Sequence, residues 1–138
     1  MENEMYIKFI SKRSNISVIR NIVSAIVLDY NPTITYLNEL KTVVSEAVTN
    51  CIVHGYNNEE DKFVDVTIKI QEDGVYGEIV DYGCGIEDIE QAKEPLFSTK
   101  KAEERSGLGF TIMEMFCDEF NVESKKNEGT KIIFLKKW

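Results

Sequence analysis

Between residues 64 and 70 the chain alternates without a slip. Val64, Val66, Ile68 and Ile70 are apolar, and Asp65, Thr67 and Lys69 between them are polar. A period of two marks a strand with one buried and one wet face. Glu72-Asp73-Gly74 then supplies a turn, and residues 75–80 return as the second arm of a hairpin. A sheet with one solvated face needs a second layer on the other, so the remaining chain must provide helices that cover it.

It has the segments to do so. Residues 5–12 are rich in Tyr, Ile and Phe and read as a first strand. Ser14 is placed to cap a helix running to about Tyr30. Pro32 ends that segment and opens a second helix over about 33–54, with Gly55 as its terminating glycine. Residues 57–61 are a polar turn. Residues 81–106 are the longest irregular stretch, with one short helix near 88–92. Residues 108–117 are helical, and 120–124 and 131–135 flank Asn127-Glu128-Gly129 as a final hairpin. The order β-α-α-β-β-loop-α-β-β predicts one α+β domain over residues 1–138. Its architecture is a two-layer sandwich, with a mixed, mostly antiparallel sheet covered by three helices on one face.

The 138 residues suffice for a real core without staples. Sixteen Lys+Arg against 24 Asp+Glu leave a net charge of −8, which disfavours direct binding to nucleic acid. Three cysteines, Cys51, Cys84 and Cys117, with no close pair and a single His54, argue against a disulfide framework and a zinc site. The acidic start is not a signal peptide, and no apolar run approaches the roughly 20 residues that span a bilayer. A cytoplasmic protein with reduced thiols is the expectation.

On the second helix Leu37, Leu40, Val44, Ala47, Val48 and Cys51 form one apolar arc to face the sheet. Glu46 and Asn50 lie beside it, one turn apart, with Glu39 further back. Such a pair reads either as a solvated helix shoulder, the common case, or as chemistry. The carboxylate can deprotonate a nucleophile, and the amide oxygen is a hard ligand for Mg²⁺. Asp81-Tyr82-Gly83-Cys84-Gly85 follows a strand directly. It is either a turn or a place where a fixed carboxylate accepts from an exocyclic amine beside closely approaching backbone. Gly107-Leu108-Gly109, with Arg105 before it, precedes an apolar helix whose N-terminus can face phosphate. It lacks the Lys-Ser/Thr of a P-loop and the βαβ setting of a dinucleotide fingerprint. Packing accounts for it equally well. Between the glycine segments, residues 95–101 (PLFSTKK) suggest either a lid over phosphates or a basic patch on a loop.

Taken in order, these segments resemble the GHKL ATPase superfamily of gyrase, histidine-kinase and mismatch-repair ATPases. ELKTVVSEAVTNCIVHGY at 39–56 is similar to its N-box, DYGCGI at 81–86 and SGLGF at 106–110 to its two glycine boxes. Gly129-Thr130 stands where the family has a further adenine-contacting threonine. EAVTNCIVHGY, PLFSTK and ERSGLGF, in so short a chain, resemble more narrowly the anti-sigma F factors of spore-forming bacteria, which are serine kinases as well as sigma-factor binders. The relatives that control general-stress sigma factors share this likeness.

The resemblance implies ATP and Mg²⁺ as ligands, with Asn50 holding the metal and Glu46 as general base for an incoming serine hydroxyl. It implies that Asp81 reads adenine N6, with Gly83, Gly85, Ile86 and Thr130 around it. Gly107, Leu108 and Gly109 would bind phosphate through their backbone, and Thr99, Lys100 and Arg105 would add side-chain contacts. His54 is expected to be structural and Cys84 passive. The implied partners are a sigma factor, an anti-anti-sigma protein as substrate, and a second copy of the chain. Two functions follow: a kinase of the antagonist, and a nucleotide-gated module that sequesters the sigma factor.

The first helix adds one reading from its residues. Ile16, Val18, Ile19, Ile22, Val23, Ala25, Ile26 and Val27 cover more of its circumference than one core face needs. It is either deeply embedded or turned toward a partner as well. Arg20, at the border of the apolar arc, is the expected partner-binding residue.

Overall fold

The computed structural model describes residues 3–89, 93 and 109–138. Strands β1 (Asn3–Ile10), β2 (Phe63–Gln71), β3 (Gly74–Asp81), β4 (Glu119–Lys125) and β5 (Gly129–Lys137) form one sheet in the order β1-β2-β3-β5-β4. All four pairings are antiparallel, so among the described residues the sheet has no parallel pair, where a mixed, mostly antiparallel one was expected. The α+β two-layer architecture is as expected. Helix α1 (Asn15–Val27) continues into a 3₁₀ turn (Leu28–Tyr30), and α2 (Ile34–Asn50) continues into a π-helical turn (Cys51–Gly55). Helix α3 is Gly109–Phe116. The reading of a short helix near 88–92 falls largely outside the described residues.

The alternation in β2 does what it predicts. Val64, Val66, Ile68 and Ile70 are buried, as are Val75 and Ile79 of β3, Ile132 and Phe134 of β5 and Val122 of β4. Burying each such side chain stabilises by about 1.5–3 kcal/mol. Gly77, opposite Phe134 in the β3–β5 register, leaves the space that ring fills. On the helical layer α2 lies between α1 and α3. Its buried face is Tyr36, Leu40, Val43, Val44, Ala47 and Val48, continued by Cys51. Leu37 is only half-buried, and Tyr36 and Val43 belong to the core beyond the expected arc. Thr33 caps α2 by accepting the Tyr36 N–H at 3.0 Å. Ser14 occupies the N-cap position of α1 in helical conformation and makes no side-chain cap bond, contrary to expectation.

The core of α1 is narrower than its apolar arc. Ile19, Val23 and Val27 are buried, Ile16, Ile22 and Ile26 half-buried, and Val18 is 50% exposed. At one end of the molecule Trp138 stacks on Tyr30 with ring centroids 5.6 Å apart and tilts against Tyr36 at 5.2 Å. Beside them Lys136 is buried, its Nζ donating to Glu39 Oε1 and to the Phe116 carbonyl, each at 2.7 Å, and lying 4.9 Å from the Tyr36 ring centre.

Candidate active site

The other end of the molecule gathers the last turns of α2, the π-helical turn, the end of β3 and the β4–β5 hairpin. Because β5 is inserted between β3 and β4, the last residue of β3 stands opposite the second residue of β5: Asp81 pairs with Thr130. Both side chains are buried, Asp81 to 1% exposure. Asp81 Oδ1 accepts from the Gly83 N–H at 2.9 Å. Asp81 Oδ2 is sealed from water and has no hydrogen-bond partner. Burial pushes the Asp81 carboxyl above its ordinary range, while the Gly83 N–H, the Cys51 thiol and the Thr130 backbone favour its ionised form. Burial, reinforced by the Asp81 charge, likewise pushes the Cys51 thiol well up, so Cys51 is a neutral neighbour at neutral pH.

Glycines make this packing possible. A Cβ on Gly55 would stand 2.7 Å from Asp81 Cγ, and one on Gly83 would fall 1.9 Å from the Gly55 carbonyl oxygen. Gly55 ends the helical run, as expected. Its backbone is not left-handed; Asn57 and Asn58 take that conformation instead, and Gly55 is needed for the carboxylate that lies against it. Gly85 does have a positive φ of 72°, with the Lys125 carbonyl 2.1 Å from where its Cβ would stand.

The glycine loop is pinned on both sides. Toward the π-helical turn, the Cys84 N–H donates to the Gly55 carbonyl at 3.0 Å, and the Cys84 thiol donates to the His54 carbonyl at 3.1 Å. The Tyr82 N–H donates to Tyr56 Oη at 2.8 Å, and that hydroxyl donates onward to the Phe63 carbonyl at 2.5 Å. Burial raises the Tyr56 hydroxyl to about 12, so it remains a donor. Toward the hairpin, the Asn127 N–H donates to the Cys84 carbonyl at 2.6 Å, and the Ile86 N–H donates to Ser124 Oγ at 2.7 Å.

Glu46 and Asn50 are half-buried on the last turns of α2, directly before the π-helical turn. Such wide turns occur often at functional sites, where they re-aim the helix end. Gly109 is the first residue of α3. Met115, Phe116 and Cys117 at the far end of α3 share a groove with Thr33, Tyr36 and Glu39 at the start of α2. Helix α3 therefore runs antiparallel to α2, with Gly109 toward the Asn50 end. Thr99, Lys100, Arg105, Gly107 and Leu108 lie outside the described residues. Arg20 is on α1; its Nε is buried without a hydrogen-bond partner.

Sequence reasoning missed Tyr56, Ser124 and the contact of Gly55 with Asp81. Tyr56 sits beside the Gly55 that ends the helical run, the one signal that pointed near it. Nothing in the sequence marks Ser124.

The chemistry of Asp81 suits an adenine amine. A buried carboxylate oxygen without a donor costs stability until one arrives, and an exocyclic amine supplies that donor. The Asn50 carboxamide oxygen suits a hard divalent cation.

The histidine kinase-like ATPase domain model matches residues 9–136. The anti-sigma F factor of Clostridium beijerinckii is 49% identical over 137 residues, covering 99% of this chain and 96% of that protein. That of Geobacillus kaustophilus is 50% identical over 137 residues, with 99% and 93% covered. That of Clostridium perfringens strain SM101 is 48% identical, with 99% and 98% covered. With the fold and these relatives in agreement, the chain belongs to the histidine kinase-like ATPase domain family, and within it to the family of the anti-sigma F factors.

Proposed function

We propose that this protein binds ATP at the Asp81 wall, holds a sigma factor, and phosphorylates a serine of an anti-anti-sigma protein that competes for it. The observation that carries the nucleotide reading is the buried, unpartnered Asp81 Oδ2. The sigma-factor part rests on the relatives named anti-sigma F factor, which match nearly their full length.

In this reading ATP, when bound, is the phosphoryl donor. Asp81 accepts from its adenine amine, with Gly83, Gly85, Ile86 and Thr130 forming the surrounding wall. Asn50 is the protein ligand for Mg²⁺. Gly107, Leu108 and Gly109 give backbone N–H groups to phosphate, and Thr99, Lys100 and Arg105 add side-chain contacts. Glu46 takes the proton from the substrate serine hydroxyl as its oxygen bonds to phosphorus and the bond to the departing ADP oxygen breaks. Positioning and charge neutralisation supply most of the rate in such transfers.

Arg20 contributes to the partner surface. Exposed Val18 and half-buried Ile22 and Ile26 leave apolar area on α1 that a second copy of the chain or the sigma factor covers. In this reading the protein meets these partners in the cytoplasm.

The test is incubation with labelled ATP, Mg²⁺ and the candidate antagonist protein, with Glu46→Gln in parallel. Label on an antagonist serine, absent with the variant, supports the kinase and its base. Tight ATP binding without transfer shifts the reading to a nucleotide-gated sigma-binding module. Absence of ATP binding overturns it.

A further inference from the structure

Thr130 pairs across the β3–β5 register with Asp81, whose Oδ2 lacks a donor. A threonine O–H in that place is the obvious candidate to satisfy Asp81 itself, which would close the wall to a ligand. It does not: Asp81 Oδ2 stays unpartnered. The reason lies on β4. Ser124 Oγ is within 2.8 Å of Thr130 Oγ1, 2.9 Å from the Gly129 carbonyl oxygen, and 2.7 Å from the Ile86 backbone nitrogen.

The polarity of that cluster follows from counting protons. A serine hydroxyl has one proton and two lone pairs. The Ile86 N–H can only donate, so it takes one lone pair of Ser124 Oγ. The Gly129 carbonyl can only accept, so it takes the Ser124 proton. The remaining contact is a hydrogen bond only if the Thr130 O–H donates into the second lone pair. All three contacts are then satisfied at once. Were Ser124 to donate to Thr130 instead, its bond to the Gly129 carbonyl would be lost.

We infer that Ser124 is a positioning residue for the nucleotide. It takes the only proton of Thr130, so that this proton does not go to Asp81 and Asp81 Oδ2 keeps no internal donor. The same serine ties the end of the glycine loop, at Ile86, to the strand pair that holds the wall. The inference deepens the ATP reading and rests on it.

Calorimetric titration of the full chain with ATP and Mg²⁺ tests it, using wild type, Ser124→Ala, Thr130→Val and the double variant. Without the serine, the Thr130 proton turns to Asp81. Ser124→Ala is therefore expected to weaken ATP binding about tenfold, the effect of a wall acceptor lost to an internal donor. In that background Thr130→Val removes the competing proton, so the double variant binds ATP several-fold more tightly than Ser124→Ala alone. In the wild-type background Thr130→Val removes an acceptor and weakens binding. Ser124→Thr, which keeps the hydroxyl, stays within about twofold of wild type, and serves if the alanine variant does not fold.

A serine that merely braced the loop would give a Ser124→Ala loss that Thr130→Val leaves unrepaired, and that result overturns the inference. So does Ser124→Ala binding ATP as wild type does, or Ser124→Thr binding as weakly as Ser124→Ala is expected to. Wild type that binds no ATP overturns the ATP reading itself, a separate outcome visible in the first titration.

Discussion

Gly55 and Asp81 meet where a side chain on the first would displace the second. The Asp81 carboxylate carbon and both its oxygens lie 2.7–2.8 Å from the point a Gly55 Cβ would occupy. The end of the α2 helical run and the end of β3 are therefore fitted to each other through one absent methyl group. Gly55→Ala should displace the carboxylate. The expected cost is about 1–3 kcal/mol in urea unfolding, with loss of most ATP affinity by calorimetry.

Asp81→Asn separates binding from stability. Burial raises the Asp81 pKa in the folded protein. The group thus binds protons more tightly folded than unfolded. Its contribution to stability is full below the unfolded value of an ordinary aspartate and is lost as pH rises through the raised folded value. Above that raised value the ionised, half-satisfied carboxylate weakens the nucleotide-free fold. The asparagine variant should equal or exceed wild type in melting temperature at pH 7, lose this acid-side gain, and fail to bind ATP. A lower melting temperature at pH 7 in a clean variant would contradict the account.

Tyr56→Phe removes one hydroxyl that serves two backbone groups, the Tyr82 N–H and the Phe63 carbonyl. The fold should lose about 1–2 kcal/mol. Because Tyr56 steadies the glycine loop and not the Glu46 side, KM for ATP should rise several-fold with kcat little changed. Steady-state kinetics at saturating antagonist protein reads the split.

Lys136 tests the opposite end of the sheet. Its ammonium is buried against Glu39, the Phe116 carbonyl and the Tyr36 ring. Lys136→Met leaves a half-buried carboxylate without its cation and should cost about 3 kcal/mol in chemical unfolding. ATP affinity, measured on the folded fraction, should be unaffected.

Arg20→Ala should leave ATP affinity unchanged and weaken sigma-factor binding about tenfold, the size expected for an interface arginine. Surface plasmon resonance with the sigma factor immobilised reads this directly. Unchanged sigma affinity removes Arg20 from the partner surface.

The hairpin of β2 and β3 was readable because alternation is local: each residue's face follows from its neighbour's. The order of elements followed from turn residues such as Gly74 and the Asn127–Gly129 segment. Asp81 stood out because a carboxylate at a strand end, between apolar residues and glycines, has little packing reason to be there. Gly55 was readable as the end of the helical run, but not as the residue that leaves room for a carboxylate. Here the constraint comes from a side chain 26 positions later. Ser124 and Tyr56 stayed silent for the same reason. A polar residue in a strand or after a helix looks ordinary until the sheet order sets its partners, and those lie across the fold. The breadth of the α1 apolar arc was visible, whereas its division into a buried Ile19-Val23-Val27 stripe and an exposed Val18 depended on where α2 packs.

The chain contains a single tryptophan, Trp138, and it is stacked on Tyr30 and tilted against Tyr36 at the end of the sheet remote from Asp81. Strand β5 carries the chain from Thr130 to that aromatic group over roughly 25 Å, at about 3.3 Å per residue. The intrinsic emission of this protein is thus a gauge of whether the tail of β5 is docked on α2. It will follow unfolding faithfully and stay dark to nucleotide, unless occupancy at one end of the strand is felt at the other. Any change in that emission on adding ATP would itself be a signal transmitted along the sheet.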